Sequence, residues 1–144
     1  MPDGSKINLS YDNRGNVLSI EDAQGNTIKY SYYFDGVCGF VELFWDNNLN
    51  NCENMFFMCT KIVEINLSNF NTSQVNNMKS MFQYCASLTS INLSNLDTSQ
   101  VSNMNCMFAF CSSLTSLDLS CLDISNTINI DSMLFESDSL EYIN

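Results

Sequence analysis

Apolar residues in the second half of the chain recur at a fixed interval of 26 positions. The stretch VNNMKSMFQYCASLTSINL at residues 75–93 returns at residues 101–119 as VSNMNCMFAFCSSLTSLDL. The same interval relates three cysteines and four asparagines, namely Cys59, Cys85 and Cys111, and Asn51, Asn77, Asn103 and Asn129. A period between about 20 and 50 residues is typical of stacked structural repeats. The sequence therefore predicts a stack of similar units.

The first part of each period has the apolar spacing of a short helix. In the second copy, apolar residues stand at i, i+3, i+6, i+7 and i+10, namely Val75, Met78, Met81, Phe82 and Cys85. Asn77 stands near the start of this stripe, where its side chain could accept a hydrogen bond from a free backbone N–H of the first turn. The pattern predicts roughly two turns of helix, capped by this asparagine.

The second part of each period alternates between apolar and polar residues. Ile91 and Leu93 alternate with Asn92 and Ser94, which predicts a strand, and a polar turn follows at residues 94–99. One such unit buries too little apolar surface to offset the entropy of ordering its backbone. Stacking covers both flat faces of each unit, so we expect a solenoid.

The repeat resembles a known family. Leu114-x-x-Leu117-x-Leu119-x-x-Leu122 fits the leucine-rich-repeat pattern, and Asn-Met-x-x-Met-Phe-x-x-Cys-x-Ser-Leu-Thr-Ser resembles the BspA-like surface proteins of that class. The resemblance implies an α/β fold: a leucine-rich-repeat-type solenoid with a parallel β-sheet on one face and short helices on the other. It also implies a cell-surface or secreted protein involved in adhesion, without catalytic residues.

Residues 6–45 lack the period and alternate β-forming runs with turn signals. Runs at residues 6–11, 16–20, 27–34 and 37–45 predict four strands, and Asp35-Gly36 is a strong hairpin signal. We predict an antiparallel β meander at residues 1–50 that caps a solenoid of about three and a half repeats at residues 51–144, in one folding unit. Alternatively, Tyr11-Asp12-x-x-Gly15-Asn16 and Asp22-x-x-Gly25-Asn26-x-x-x-Tyr30-x-Tyr32 resemble the YD repeats of the RHS toxin-shell family.

Composition and charge narrow the possible partners. The 144 residues favour one domain, and the net charge of −11 disfavours nucleic acid and anionic lipid. The sequence shows neither a secretory signal nor an apolar run of membrane-spanning length. Export would therefore need another route or a signal elsewhere, and a cytoplasmic location stays open. The last repeat stops before its next expected leucine, which predicts a piece of a longer protein.

Little in the sequence points to catalysis, a metal or another cofactor. The chain has no histidine, and its seven cysteines lack the close pairs of zinc sites. Cys59, Cys85 and Cys111 share the apolar stripe, so we predict that they are buried, reduced thiols. Asp97, Asp123 and Asn71 recur at one turn, where side-chain-to-backbone hydrogen bonds are the favoured interpretation and weak cation binding the alternative.

The outward face of the predicted strands is the candidate binding surface. Its proposed binding residues are Glu64, Asn66, Asn92, Asp118, Glu141 and Tyr142. Solenoids often bind partners through such an extended surface. We therefore predict a non-enzymatic module that binds a protein or a glycan on a cell surface, either as a monomer or with further stacked repeats. In the alternative hypothesis this face is merely solvated, and the chain is a structural spacer or stalk.

Overall fold

The computed structural model of the protein describes residues 8–11, 17–21, 27–32, 38–45 and 49–144. These residues form strands in two sheets and contain no helix. The strands are β1 (Asn8–Tyr11), β2 (Val17–Glu21), β3 (Thr27–Tyr32), β4 (Cys38–Trp45), β5 (Glu64–Phe70), β6 (Ser116–Leu117) and β7 (Tyr142–Ile143).

The first sheet joins the N-terminal strands to the first repeat. Its order is β1-β2-β3-β4-β5, and β1 to β4 are antiparallel neighbours that lie within one or two residues of the predicted runs. β4 pairs with β5 in parallel, with Phe40 opposite Glu64 and Trp45 opposite Phe70. β4 therefore lies along the edge of β5 that a preceding repeat would otherwise occupy.

Several predicted turns fall outside the described residues. They include the Asp35-Gly36 turn and residues 12–16, 22–26 and 46–48. Asp12, Gly15, Asn16 and Gly25, which carry most of the YD-type alternative, belong to these segments. For the meander, the structure therefore describes the order and register of the strands. The hydroxyl groups of Ser10 in β1 and Ser19 in β2 form a hydrogen bond of 2.7 Å.

The repeats stack through backbone hydrogen bonds at the 26-residue interval. We define four copies by their leading asparagine: residues 51–76, 77–102, 103–128 and 129–144. Parallel bridges join the four leading asparagines, Asn51, Asn77, Asn103 and Asn129. The N–H groups of Phe56, Phe82 and Phe108 each donate to a methionine carbonyl in the next copy at 2.9 Å. These hydrogen bonds thus hold each copy against the next one, as expected for stacked units.

The predicted short helices are absent from the described residues, and that prediction is wrong. Residues 78–85 form consecutive tight turns instead, with Cys85 N–H donating to the Phe82 carbonyl at 3.1 Å. Ser80 and Tyr84 have φ values of 54° and 62°, which a right-handed helix excludes. Alternate N–H groups donate to the next copy rather than to the fourth residue back. Turns with an i, i+3 repeat bury the same side chains as a helix, so apolar spacing did not distinguish them.

The same turns recur in the other copies. Positive φ values occur at matching positions, namely Asn54 and Met58, Cys106 and Phe110, and Ser132 and Glu136. The left-handed conformation costs roughly 1–2 kcal/mol for a residue other than glycine. The left-handed conformation recurs wherever the copies exchange backbone hydrogen bonds, so we infer that those bonds stabilise it. Residues 130–136 of the fourth copy form the same kind of turns.

The strand side of the stack is discontinuous. β5 is seven residues long, and β6 pairs with β7 in parallel, with Leu117 opposite Ile143. Residues 90–95 of the second copy form no strand, so the strand predicted through Ile91 and Leu93 is wrong. Backbone bonds between the copies lie just before that segment: Thr89 N–H donates to the Val63 carbonyl at 3.3 Å, and Thr115 N–H donates to the Thr89 carbonyl at 3.4 Å. An extended segment without a bonded neighbour cannot form a sheet.

The core lies between the turns and the strand side, and it follows the 26-residue register. The phenylalanine rings of Phe56, Phe82 and Phe108 stack at centroid separations of 5.5 and 5.1 Å. Met81 and Met107 are completely buried beside them. The periodic methionines and phenylalanines of the inner copies are therefore core residues, as the sequence predicted, and they line no groove.

Candidate functional site

The six predicted binding residues divide into two groups on the strand side. Glu64 and Asn66 of β5 lie with Asn92 around one cleft, whereas Asp118, Glu141 and Tyr142 lie at the small β6–β7 sheet. The strand side is therefore not one uniform surface. Its two parts differ in shape, because the first is an opening in the sheet and the second is a continuous ladder.

The cleft separates β5 from residues 90–95 and has a volume of about 330 Å³. Its polar lining consists of Glu64, Asn66, Ser68, Ser90, Asn92 and Asn95. Ile65, Leu67 and Ile91 supply the apolar part, and the first two are almost fully buried. Six of the nine lining residues are polar, so the opening is more polar than a typical small-molecule pocket, which is lined mainly by apolar side chains.

The backbone explains why the sheet opens here. Between the third and fourth copies, Leu119 N–H donates to the Asn144 carbonyl at 2.9 Å, and Asn144 N–H donates to the Leu117 carbonyl at 3.2 Å. The matching bonds between the first and second copies would join Leu67 to the Asn92 carbonyl and Asn92 to the Ile65 carbonyl. Neither is formed. β5 is instead bonded along its opposite edge to β4.

Three of the candidate residues also have a local structural role. Asn66, Asn92 and Asp118 each accept, through Oδ1, the backbone N–H of the serine two residues later, at 2.9, 3.0 and 2.9 Å. Such Asx turns fix the backbone immediately after the strand position. Replacement of these residues would therefore alter the turn as well as the surface.

Asp118 and Tyr142 characterise the second group. Asp118 accepts a hydrogen bond from Ser120, which lowers the pKa of its carboxyl group, and Asn144 Nδ2 lies 3.5 Å from the same oxygen. Tyr142 is 70% exposed, and Glu141 is exposed beside it. Because Glu141 and Tyr142 are exposed, this group forms a surface patch.

The predicted turn role of Asn71, Asp97 and Asp123 is confirmed. Their Oδ1 atoms accept the N–H of Ser73, Ser99 and Ser125 at 3.0, 3.0 and 2.9 Å. Hydrogen bonds from the following serine lower the pKa of Asp97 and of Asp123. The described residues contain no group of three potential metal-binding side chains. No helix among them is long and apolar enough to cross a membrane.

The repeated thiols are packed and hydrogen-bonded. Cys85 Sγ donates to the Phe56 carbonyl at 3.3 Å, and Cys111 Sγ donates to the Phe82 carbonyl at 3.2 Å. Burial raises the pKa of Cys85 strongly and that of Cys111 to about 11. Neither thiol is a ready nucleophile. Cys59 is half-buried rather than buried as predicted, because it belongs to the outermost copy.

Sequence reasoning missed two apolar features. A column of rings runs along the turn side, with Tyr84 and Phe110 stacked at 4.3 Å and Phe57 and Phe135 edge-on at either end. The available signal was the 26-residue interval between Tyr84 and Phe110. The second feature is the apolar surface at the C-terminal end of the stack, where Ile128, the last residue of the third copy, is 91% exposed.

Comparison with protein families places the chain. A family model described as "Mycoplasma protein of unknown function, DUF285" matches residues 34–142, well over half of the 144 residues. The comparisons with curated proteins and with solved structures gave no match. The matched range includes β4, β5 and the cleft beside them, so the family unit extends beyond the repeats themselves. The chain belongs to the Mycoplasma DUF285 family.

Proposed function

We propose that this chain is a non-enzymatic interaction module that binds a protein or a glycan through its strand side. The cleft between β5 and residues 90–95 is the observation that carries the proposal, because it gathers Glu64, Asn66 and Asn92 around a volume of about 330 Å³. The other predicted residues, at the β6–β7 sheet, would extend the contact surface. We further propose a leucine-rich-repeat-type, BspA-like solenoid, which the resemblance of the repeats supports.

The chemistry of the cleft supports binding rather than catalysis. Glycoside hydrolysis by the common mechanisms requires two carboxyl groups across one site. Glu64 is the single acidic residue that lines the cleft. The buried thiols have raised pKa values, as described above, which disfavours cysteine nucleophiles. A surface location, proposed from the resemblance, would suit a module of this kind.

A structural spacer is the second candidate function. The fourth copy presents Ile130, Phe135 and Ile143 as exposed apolar residues, and Ile128 at the end of the third copy is exposed as well. In the inner copies, the next copy covers the residues at the equivalent positions. An apolar end of this kind favours stacking of a further repeat, whether or not the strand side binds anything.

Binding assays on the whole chain separate the two candidates. We would screen immobilised protein against a glycan array and a displayed peptide library, then retest each hit with strand-side and turn-side variants. The strand-side variants are Glu64→Gln and Tyr142→Ala, and the controls are Gln83→Ala and Asn105→Ala on the turns. Strand-side variants should weaken a genuine hit, with most of the loss at a few residues. Loss confined to the turn-side variants would refute the proposed surface, and the absence of any hit would favour the spacer.

A further inference from the structure

Several backbone groups at the cleft make no backbone-to-backbone hydrogen bond across it. Asn92 forms no backbone hydrogen bond through either its N–H or its carbonyl group, and Ser90 and Ile91 form none either. Across the opening, Ile65 and Leu67 make none of the bonds to Asn92 that their equivalents Leu117 and Leu119 make to Asn144. The cleft thus has a strand edge on one side and an unbonded extended segment on the other.

We propose that the cleft binds an extended polypeptide, which adds as a strand to the edge of β5 that faces residues 90–95 and places a lysine or arginine near Glu64. The inference rests on the proposed binding function and specifies its partner chemistry. An open strand edge is a template for another chain, and strand addition is an established mode of peptide recognition. Here β4 secures the opposite edge, so β5 stays in place as the partner binds.

The dimensions fit a short segment. The part of β5 that lines the cleft runs from Glu64 to Ser68, which is roughly 16 Å of strand. The volume of about 330 Å³ lies at the small end of the range for ligand sites. It accommodates a few residues of an extended chain, whereas a helix, about 10 Å or more in diameter, would not enter a gap between two adjacent segments of a sheet.

Charge determines which side chain the peptide should carry. Glu64 is exposed, and it is the one ionisable residue around the cleft. The chain has a net charge of −11, so its field attracts cations and repels anionic ligands such as nucleic acid. Asn92 and Asn95 add neutral hydrogen-bonding groups. A peptide with a single basic residue therefore satisfies the cleft better than an acidic peptide.

The test uses the full chain and a defined probe. The probe is a blocked peptide of about nine residues that alternates threonine with valine and carries lysine at one of the threonine positions. Its control is the same peptide with N-methyl groups on alternate amides, which removes one row of main-chain donors and keeps the side chains. Affinity would be measured by fluorescence anisotropy, and backbone protection by hydrogen exchange.

We expect the unmodified peptide to bind at least tenfold more tightly than its N-methylated twin. Glu64→Lys should weaken binding about tenfold, whereas Glu136→Lys, with the same change in net charge at an exposed position on the turns, should not. Exchange should slow at residues 64–68 and 90–95 when peptide binds, and stay unchanged at residues 116–119. Far-UV circular dichroism would verify that both variants are folded.

Two results would overturn the inference and differ in meaning. Equal binding of both peptides, or equal loss in both charge variants, would show that strand addition at β5 does not occur. If a glycan or a folded protein binds through the strand side while no lysine peptide does, the proposed function survives and this inference fails. If nothing binds through the strand side, both fail.

Discussion

Cys111 offers a sharp test of how the copies hold one another. Its thiol is completely buried and donates to the Phe82 carbonyl of the preceding copy at 3.2 Å. That carbonyl also accepts the N–H of Cys85 at 3.1 Å. In the fourth copy the equivalent residue is Ser137, whose hydroxyl donates to the Phe108 carbonyl at 2.6 Å and accepts the N–H of Cys111 at 3.1 Å. The fold thus already contains a serine at this position.

The magnitudes follow from the two parts of the interaction. Cys111→Ala removes a hydrogen bond worth about 1 kcal/mol or less, since a thiol is a weak donor. It also leaves a cavity of about one heavy atom, at a cost of roughly 1 kcal/mol. We expect a loss of about 2 kcal/mol, or a fall in Tm of roughly 4–8 °C. Cys111→Ser keeps a donor in place and should lose less than about 1 kcal/mol.

Urea denaturation of the wild type and both variants, followed by circular dichroism, measures the difference. The slope m should stay constant, since neither change alters the surface exposed on unfolding. The reasoning is refuted if serine destabilises the protein as much as alanine does. It is also refuted if alanine is neutral, because the thiol would then contribute neither a hydrogen bond nor packing.

Further predictions concern hydroxyls, acid, thiols and the N-terminal sheet. Thr98→Val should lower the free energy of unfolding by about 1–3 kcal/mol, which is more than Thr72→Val should. The reason is that the Thr98 hydroxyl makes two hydrogen bonds with the backbone of Asp123, whereas the Thr72 hydroxyl makes one with Asp97. Urea denaturation of both variants would measure the difference. The pKa values of Asp97, Asp118 and Asp123 are lowered in the folded protein. The stability that this lowering contributes is present above the unfolded pKa of about 3.9 and is lost as the pH falls through the folded pKa values. Joint replacement of the three residues by asparagine, which occupies equivalent positions in other copies, should therefore flatten the acid limb of a plot of stability against pH. Iodoacetamide should label exposed Cys121 quickly in native protein and leave Cys85 and Cys111 unlabelled, as mass spectrometry would report. Deletion of residues 1–45 should cause aggregation or loss of cooperative melting, because β4 covers an edge of β5. If light scattering instead shows an unchanged monomer, the segment is a separate appendage.

The sequence by itself determined the register of the repeats and the identity of their core. The 26-residue interval relates Phe56, Phe82 and Phe108, and the structure stacks those rings directly. It also located the turns at Asn71, Asp97 and Asp123, because asparagine and aspartate side chains readily bond to backbone two residues away. These features depend on side-chain chemistry that recurs with the period, and a single sequence displays that recurrence.

Backbone pairing was decided only by the tertiary structure. Apolar residues three apart fit both a helix and a run of tight turns, and the choice depends on whether an N–H group, such as that of Phe82, donates within its copy or to the next one. In the described residues these N–H groups donate to the next copy, and the backbone takes positive φ angles at Ser80 and Tyr84.

The cleft has the same origin. The residues of β5 and of the segment at 90–95 carry nearly the same alternation, so the sequence predicted equivalent strands. β5 bonds along one edge to β4, a strand from outside the repeats, and its other edge makes no backbone hydrogen bond to Asn92. Pairing between segments distant in sequence leaves no periodic signal in either of them. For that reason the sequence supplied the residues around the cleft, and the fold alone brought Glu64, Asn66 and Asn92 together.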